Sequence, residues 1–246
     1  MKTILITGAS SGIGKACAQR LAHNNRLILC SRNRSELDKI ASTIENALVF
    51  KTDVRNDSDI QEMFKVLEKS NMRPDVLINA AGCALGLEEL EHGRTTDWDV
   101  MIDTNIKGLL IMSKYVLLHM KTVNRGHIIN IGSIAGIVPY SRGIVYSATK
   151  SAVKAISDGL RKEVVTYNIK VTNVQPGLVE TNFSNVRFHG DEILAKKPYE
   201  GIVPLTGTDI ADIVEYVLKL PDHVQINEIT VTPVHQATVE IIHREI

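Results

Sequence analysis

Short, almost wholly apolar runs alternate with longer stretches of helical period along the chain. Ile4–Ile6, Leu27–Leu29, Leu48–Phe50, Val76–Ile78, Ile128–Ile131 and Val171–Val174 are too short for helices. They are also too uniformly apolar for strands with one wet face, so they read as parallel strands covered on both sides. Between them the pattern predicts helices over about 13–23, 34–45, 57–70, 95–121, 146–166 and 209–219. Glu228–Val231, before Pro233, supplies a seventh strand. This alternation predicts a single α/β domain over 1–246: a doubly wound parallel sheet of about seven strands with helices on both faces. One stretch breaks the rhythm. Residues 177–206 mix polar side chains with Gly190, Gly201, Pro198 and Pro204, run too long for an ordinary connection, and read as a substrate lid.

Composition narrows the class without changing that picture. Of 246 residues 44% are hydrophobic and 23% charged, and 28 Lys+Arg balance 28 Asp+Glu. Such values suit a folded globular chain and exclude a disordered or fibrous one. With no net basic field, neither nucleic acid nor an anionic membrane is an expected partner, whereas a small-molecule substrate is. Cys17, Cys30 and Cys83 form neither a disulfide framework nor a zinc ligand set; no metal is expected, and the thiols suit a reducing compartment. No apolar run reaches the ~18 residues of a membrane span, and Met1–Thr7 reads as a strand running into glycine rather than a targeting leader. The expected location is the cytoplasm.

In open parallel sheets ligands gather beyond the carboxyl ends of the strands, so the residues following each strand carry the chemistry. After the first comes Thr7-Gly8-Ala9-Ser10-Ser11-Gly12-Ile13-Gly14, with a helix behind it. Glycines at 8, 12 and 14 let the chain turn sharply and let a pyrophosphate approach the free N–H groups of the helix start; Ser10, Ser11 and Ile13 share that loop. The second strand ends in Cys30-Ser31-Arg32, and no Asp or Glu lies between 27 and 35 to take ribose hydroxyls. Arg32 and Ser31 suit a 2′-phosphate instead, which points to NADP over NAD. Asp53-Val54 follows the third strand. There the carboxylate could take an adenine amino group with Val54 over the ring, or Asp53 or Asp57 could cap the next helix. Asn79-Ala80-Ala81-Gly82 follows the fourth, leaving room at Ala80 for a flat ring; Asn79 is either a ligand contact or a tie between strands.

Tyr146 and Lys150, four residues apart in a helical stretch, share one face. A phenol of pKa ~10 is a poor acid–base catalyst near neutrality. An ammonium ~4 Å away at an effective dielectric of ~20 supplies about 4 kcal/mol, enough to lower that pKa by about 3 units. Lys150 is therefore expected to acidify Tyr146. Ser133, after the fifth strand in Gly132-Ser133-Ile134, could hydrogen-bond the substrate oxygen that exchanges a proton with Tyr146.

Together these motifs resemble those of the short-chain dehydrogenase/reductase family along essentially the whole chain. They are Thr7-Gly8-x3-Gly12-x-Gly14, Asp53-Val54, Asn79-Ala80-Ala81-Gly82, Asn105, Ser133, Tyr146-x3-Lys150 and Pro176-Gly177-x3-Thr181. The resemblance implies a Rossmann-type fold with Ser133, Tyr146 and Lys150 catalytic, and Asn105 holding a water in a proton relay behind Lys150. It implies Tyr146 and Lys150 at the nicotinamide ribose, and Pro176, Gly177, Val179 and Thr181 around the carboxamide end. One departure is Ala80, where the family often repeats Asn. More narrowly, Trp98–Gly108, Gly126–Ser133 and Phe183–Phe188 are similar to the NADP-dependent 3-hydroxy acid (serine or allo-threonine) dehydrogenases. That implies hydride transfer at the 3-hydroxyl carbon of a serine-like or 3-hydroxypropanoate-like acid, or of the matching semialdehyde. It also implies a homotetramer, with 226–246 at an interface.

An acid substrate needs a cationic partner. Arg187, inside 177–206, is the candidate and Arg142 the reserve, although either could equally be a solvated loop arginine. Two other readings stay open: a short-chain reductase of ketones or 3-oxoacyl thioesters, and a dinucleotide-binding regulator without turnover. His127, His235, His243, Cys83 and the acidic stretch Glu88–Glu91 are read as structural or solvated.

Overall fold

In the computed structural model, which describes residues 1–245, the apolar runs become strands that bury both faces. They are β1 (Thr3–Thr7), β2 (Arg26–Ser31), β3 (Ala47–Lys51), β4 (Val76–Asn79), β5 (Gly126–Ile131) and β6 (Ile169–Pro176). After these come β7 (Val179–Glu180), β8 (Leu205–Thr206) and β9 (Glu228–Val231). The seven-stranded sheet has the order β3-β2-β1-β4-β5-β6-β9 and is parallel throughout, while β7 and β8 pair separately.

Alternation along each strand feeds two cores. Ile4, Ile6, Leu27, Leu29 and Ile78 pack on one face against α1 (Gly12–Leu21) and α2 (Arg34–Ala41). Leu5, Ile28, Leu77 and Ile128 pack on the other against α3 (Asp57–Lys69). Each such side chain removed from water contributes about 2 kcal/mol. Strand order reverses at β1, which lies between β2 and β4, so a crevice opens where their carboxyl ends diverge.

The helix expected over 95–121 is not continuous. α4 (Thr95–Ile102) and α5 (Leu109–Thr122) are separated by a π turn at Asp103–Gly108. The wider turn carries Asn105 to the inside, where its amide makes bonds that offset the irregular winding. Nδ2 donates to the Cys83 carbonyl at 2.8 Å and to Thr149 Oγ1 at 3.0 Å, and Oδ1 accepts from the Cys83 N–H at 2.9 Å. Hydrophobic period alone does not register one extra residue in a turn. A second correction concerns α3. Asn56 caps it by accepting from Ser58 N–H; Asp53 and Asp57 do not.

α6 (Ile144–Val164) follows the loop after β5. The stretch 177–206 holds β7, α7 (Phe183–Arg187), α8 (Glu192–Lys196) and β8 rather than bare loop, and α9 (Gly207–Lys219) completes the first core with Ile210, Val214 and Val217. Among the described residues no helix is long and apolar enough to cross a membrane.

Candidate active site

Two cavities meet at the carboxyl ends of the strands. The larger, about 590 Å³, is walled by residues just after β1–β4, among them Gly8, Ser10, Ser11, Gly12, Ile13, Ser31, Arg32, Asp53, Val54 and Ala80. Gly12 adopts φ +51, a conformation open chiefly to glycine. At Gly14 a Cβ would collide with the Gly8 backbone, 2.8 Å from its carbonyl carbon, so the helix start can come this close only without a side chain. Ser11 makes no side-chain cap to α1 and the first turn bears no acid, which leaves free N–H groups for an anion. Arg34 is tied to Asp38 at 2.8 Å, whereas exposed Arg32 has no ion pair among the described residues. The residues thus fit a phosphorylated dinucleotide: an uncapped helix start, a backbone cradle closed to any Cβ, and an unpaired cation.

The second cavity, about 350 Å³, shares Ile13, Ala80, Gly82, Thr181 and Phe183 with the first. Ser133, Tyr146, Lys150 and Arg187 line it, with Pro176, Gly177 and Val179. Tyr146 and Lys150 do share a face of α6, with Lys150 Nζ 5.9 Å from the Tyr146 ring centre. Nζ donates to the Ile131 carbonyl at 2.8 Å, which fixes the ammonium at the end of β5. Ser133 Oγ accepts from the Ala135 N–H at 3.1 Å, so its own hydrogen stays available. The Arg187 guanidinium carbon lies 5.1 Å from the ring centres of both Tyr146 and Phe183.

A serine, a tyrosine and a lysine converge where a cradle for a dinucleotide opens into a smaller chamber. Residues 2–192 match the family model described as short chain dehydrogenase. The chain belongs to the short-chain dehydrogenase family. It is 41% identical over 98% of its length, and 99% of the other protein, to an NADP-dependent 3-hydroxy acid dehydrogenase of Escherichia coli (strain K12). It is likewise 41% identical to one from Schizosaccharomyces pombe, over 99% of this chain and 97% of that one. A solved serine dehydrogenase in its closed form with NADP+ superposes with a TM-score of 0.94 at 40% identity, covering 99% of this chain and 100% of that one.

In this short-chain dehydrogenase burial dominates the electrostatics of Tyr146 and Lys150. Burial pushes the phenol up to about 12, and the Arg187 guanidinium and the Ser133 hydroxyl pull against that shift. Burial also pushes Lys150 down to about 8. Asp53 is held below the usual carboxylate range by Arg55, which grips it at 2.6 Å, so its carboxylate is already engaged. Cys83 lines the larger cavity with its thiol pushed up by burial, consistent with an inert group.

Three candidates lie behind the walls rather than in them. Gly14 serves close packing. Asn79 Nδ2 donates to Ser113 Oγ and, at 2.9 Å, to Asn130 Oδ1, which makes it the tie between β4 and β5. Asn105 spends both side-chain N–H groups on Cys83 and Thr149, so any water near Lys150 would meet only its oxygens. The reserve Arg142 is exposed, turned away, and paired with Glu89 at 3.5 Å. Sequence reasoning missed Tyr140, Phe183, Tyr199, Gln236 and Glu240 in the smaller cavity. The tail, expected at an interface, also reaches the smaller cavity of its own chain. Gln236 Oε1 accepts from the Leu178 N–H at 2.7 Å, and Glu240 Oε1 from that of Ser141 at 3.2 Å.

Proposed function

We propose that the chain is an NADP-dependent oxidoreductase acting at the 3-carbon of a short 3-hydroxy acid, such as serine, allo-threonine or 3-hydroxypropanoate, or of the matching semialdehyde. The observation that carries this reading is Arg187. Its guanidinium stands over the Tyr146 ring, in the chamber that also contains Ser133 and Lys150, and its buried Nε has no partner among the described residues. A buried donor without an acceptor costs about 1–3 kcal/mol, more when charged, and a substrate carboxylate would offset that cost. The names of the relatives support the same substrate class.

NADP would sit with its pyrophosphate on the loop Gly8–Gly14 and its 2′-phosphate on Arg32 and Ser31; Asp53, Val54 and Ala80 would flank its rings. When bound, the nicotinamide gives or takes the hydride. Tyr146 moves the proton at the substrate oxygen, Ser133 hydrogen-bonds that oxygen, and Lys150 lies where it can hold ribose hydroxyls. Thr181, with Pro176, Gly177 and Val179, walls the junction. Because burial keeps the phenol protonated at neutral pH, Tyr146 as it stands is the acid that carbonyl reduction needs. Oxidation requires the phenolate and gains as pH rises.

The segment 177–206 is the lid, bringing Phe183 and Arg187 over the chamber on α7. A homotetramer is supported by exposed Leu110, Leu118 and Ile144 on α5 and α6, and by exposed Val234 and Ile241 on the tail. Free cysteines fit a cytoplasmic setting.

The test is a nicotinamide-absorbance screen with NADP and NAD against L-serine, L-allo-threonine, 3-hydroxypropanoate, its semialdehyde and neutral ketones. Preference for the acids with NADP is expected. Equal turnover of neutral ketones would favour the broader reductase, and NADPH binding without turnover a regulator.

A further inference from the structure

We infer that Tyr140 is a positioning residue for substrate recognition, its hydroxyl holding the Arg187 guanidinium in the orientation that receives the substrate carboxylate. The inference rests on the proposed function and adds to it a residue outside the catalytic set.

Arg187 cannot hold itself. It closes α7, a helix of five residues, too short to be stable alone. Its side chain gives up about 2 kcal/mol of rotamer entropy when fixed. Rings of Tyr146 and Phe183, 5.7 Å apart and inclined at 62° to one another, flank the guanidinium but do not set its rotation, because a ring face is indifferent to which N–H lies above it. Among the described residues, its one directional side-chain contact is with Tyr140: Arg187 Nη2 donates to the phenolic oxygen at 2.8 Å, across 47 positions of sequence.

The identity of that acceptor matters. A carboxylate would neutralise the guanidinium and compete with the substrate for it. A phenol orients the cation while leaving its full charge, and burial pushes the Tyr140 phenol up, which keeps it neutral. The buried Nε–H is left without an acceptor.

The loop is built around this ring. Tyr140 is only 9% exposed. A Cβ on Gly143 would run into it, so glycine there admits the ring. Arg142 takes φ +63, a left-handed conformation that costs a non-glycine residue about 1 kcal/mol or more. The loop is pinned on either side by Ser141 N–H to Glu240 Oε1 and by Arg142 to Glu89.

The test compares 3-hydroxypropanoate with its methyl ester, with NADP, in three variants. Tyr140→Phe keeps the ring and loses only the hydroxyl. It is expected to raise KM for the acid about tenfold. The kcat for the acid and both constants for the ester should stay within about twofold, and Tm within about 2 °C. Arg187→Ala should erase the acid-over-ester preference, and adding Tyr140→Phe to it should do nothing more. An unchanged acid KM in Tyr140→Phe, an equal rise for acid and ester, or additive losses in the double variant would overturn the positioning role while leaving Arg187 as carboxylate partner. If Arg187→Ala itself spares the preference, the carboxylate reading fails, and the role of Tyr140 falls with it.

Discussion

The cofactor cleft is walled mostly by residues at or just after the ends of β1–β4, such as Gly8, Ser31, Asp53 and Ala80, and closed by Thr104 and by Thr181–Phe183 and Val186 of the 177–206 segment. The substrate chamber gathers Leu87, the loop at Tyr140, α6, the 177–206 segment and the tail out to Arg244. In the first, backbone N–H groups and missing side chains do the binding. In the second, side chains from distant stretches meet, and Arg187 is aimed by Tyr140, 47 positions away in sequence. A site divided this way can change its substrate by altering the Tyr140 loop or the tail, neither of which lines the dinucleotide cradle.

Tyr146→Phe breaks the comparison hardest. Turnover should fall by about a thousandfold or more while NADP affinity stays within about twofold by calorimetry. Loss of both together would mean the halves are not separable. Arg32→Ala and Arg187→Ala then sharpen it as a crossed pair. The first should weaken NADP about a hundredfold, hardly affect NAD, and leave the KM for acids alone. The second should lower kcat/KM for acids by a comparable factor and leave NADP binding intact. A matching loss of NAD affinity in Arg32→Ala would remove the 2′-phosphate assignment.

The smallest effect lies at the opposite end of the sheet. His127, near the start of β5, is buried with its Nε2 2.9 Å from Thr172 Oγ1, and burial pushes its pKa down from 6.5 to about 3. The unfolded chain takes up this proton first. The stability contributed by neutral His127 is therefore complete above pH ~6.5 and lost as pH falls towards 3. From pH 7 to 5 the loss should be about 2 kcal/mol in chemical denaturation. His127→Asn should flatten that slope, and because the residue lies far from both cavities the ratio of cofactor to substrate affinity should not move.

The sheet was readable because apolar runs buried on both faces have little else to become, and the glycine loop because its chemistry is written in consecutive residues. Tyr146 and Lys150 could be paired because helical spacing is local. The break at Asn105 was not readable, since one residue added to a turn leaves the hydrophobic period nearly intact. Nor were Tyr140 and Gln236, which matter only because folding delivers them to Arg187 and to the Leu178 backbone.

Local rules of period, turn chemistry and helix ends thus dictated the layered sheet, the preference for a phosphorylated dinucleotide and the serine–tyrosine–lysine set. Packing alone decided which arginine faces the chamber and brought the tail to its own site. Desolvation and long-range contact are properties of the assembled interior, and no stretch of chain carries them before it is folded.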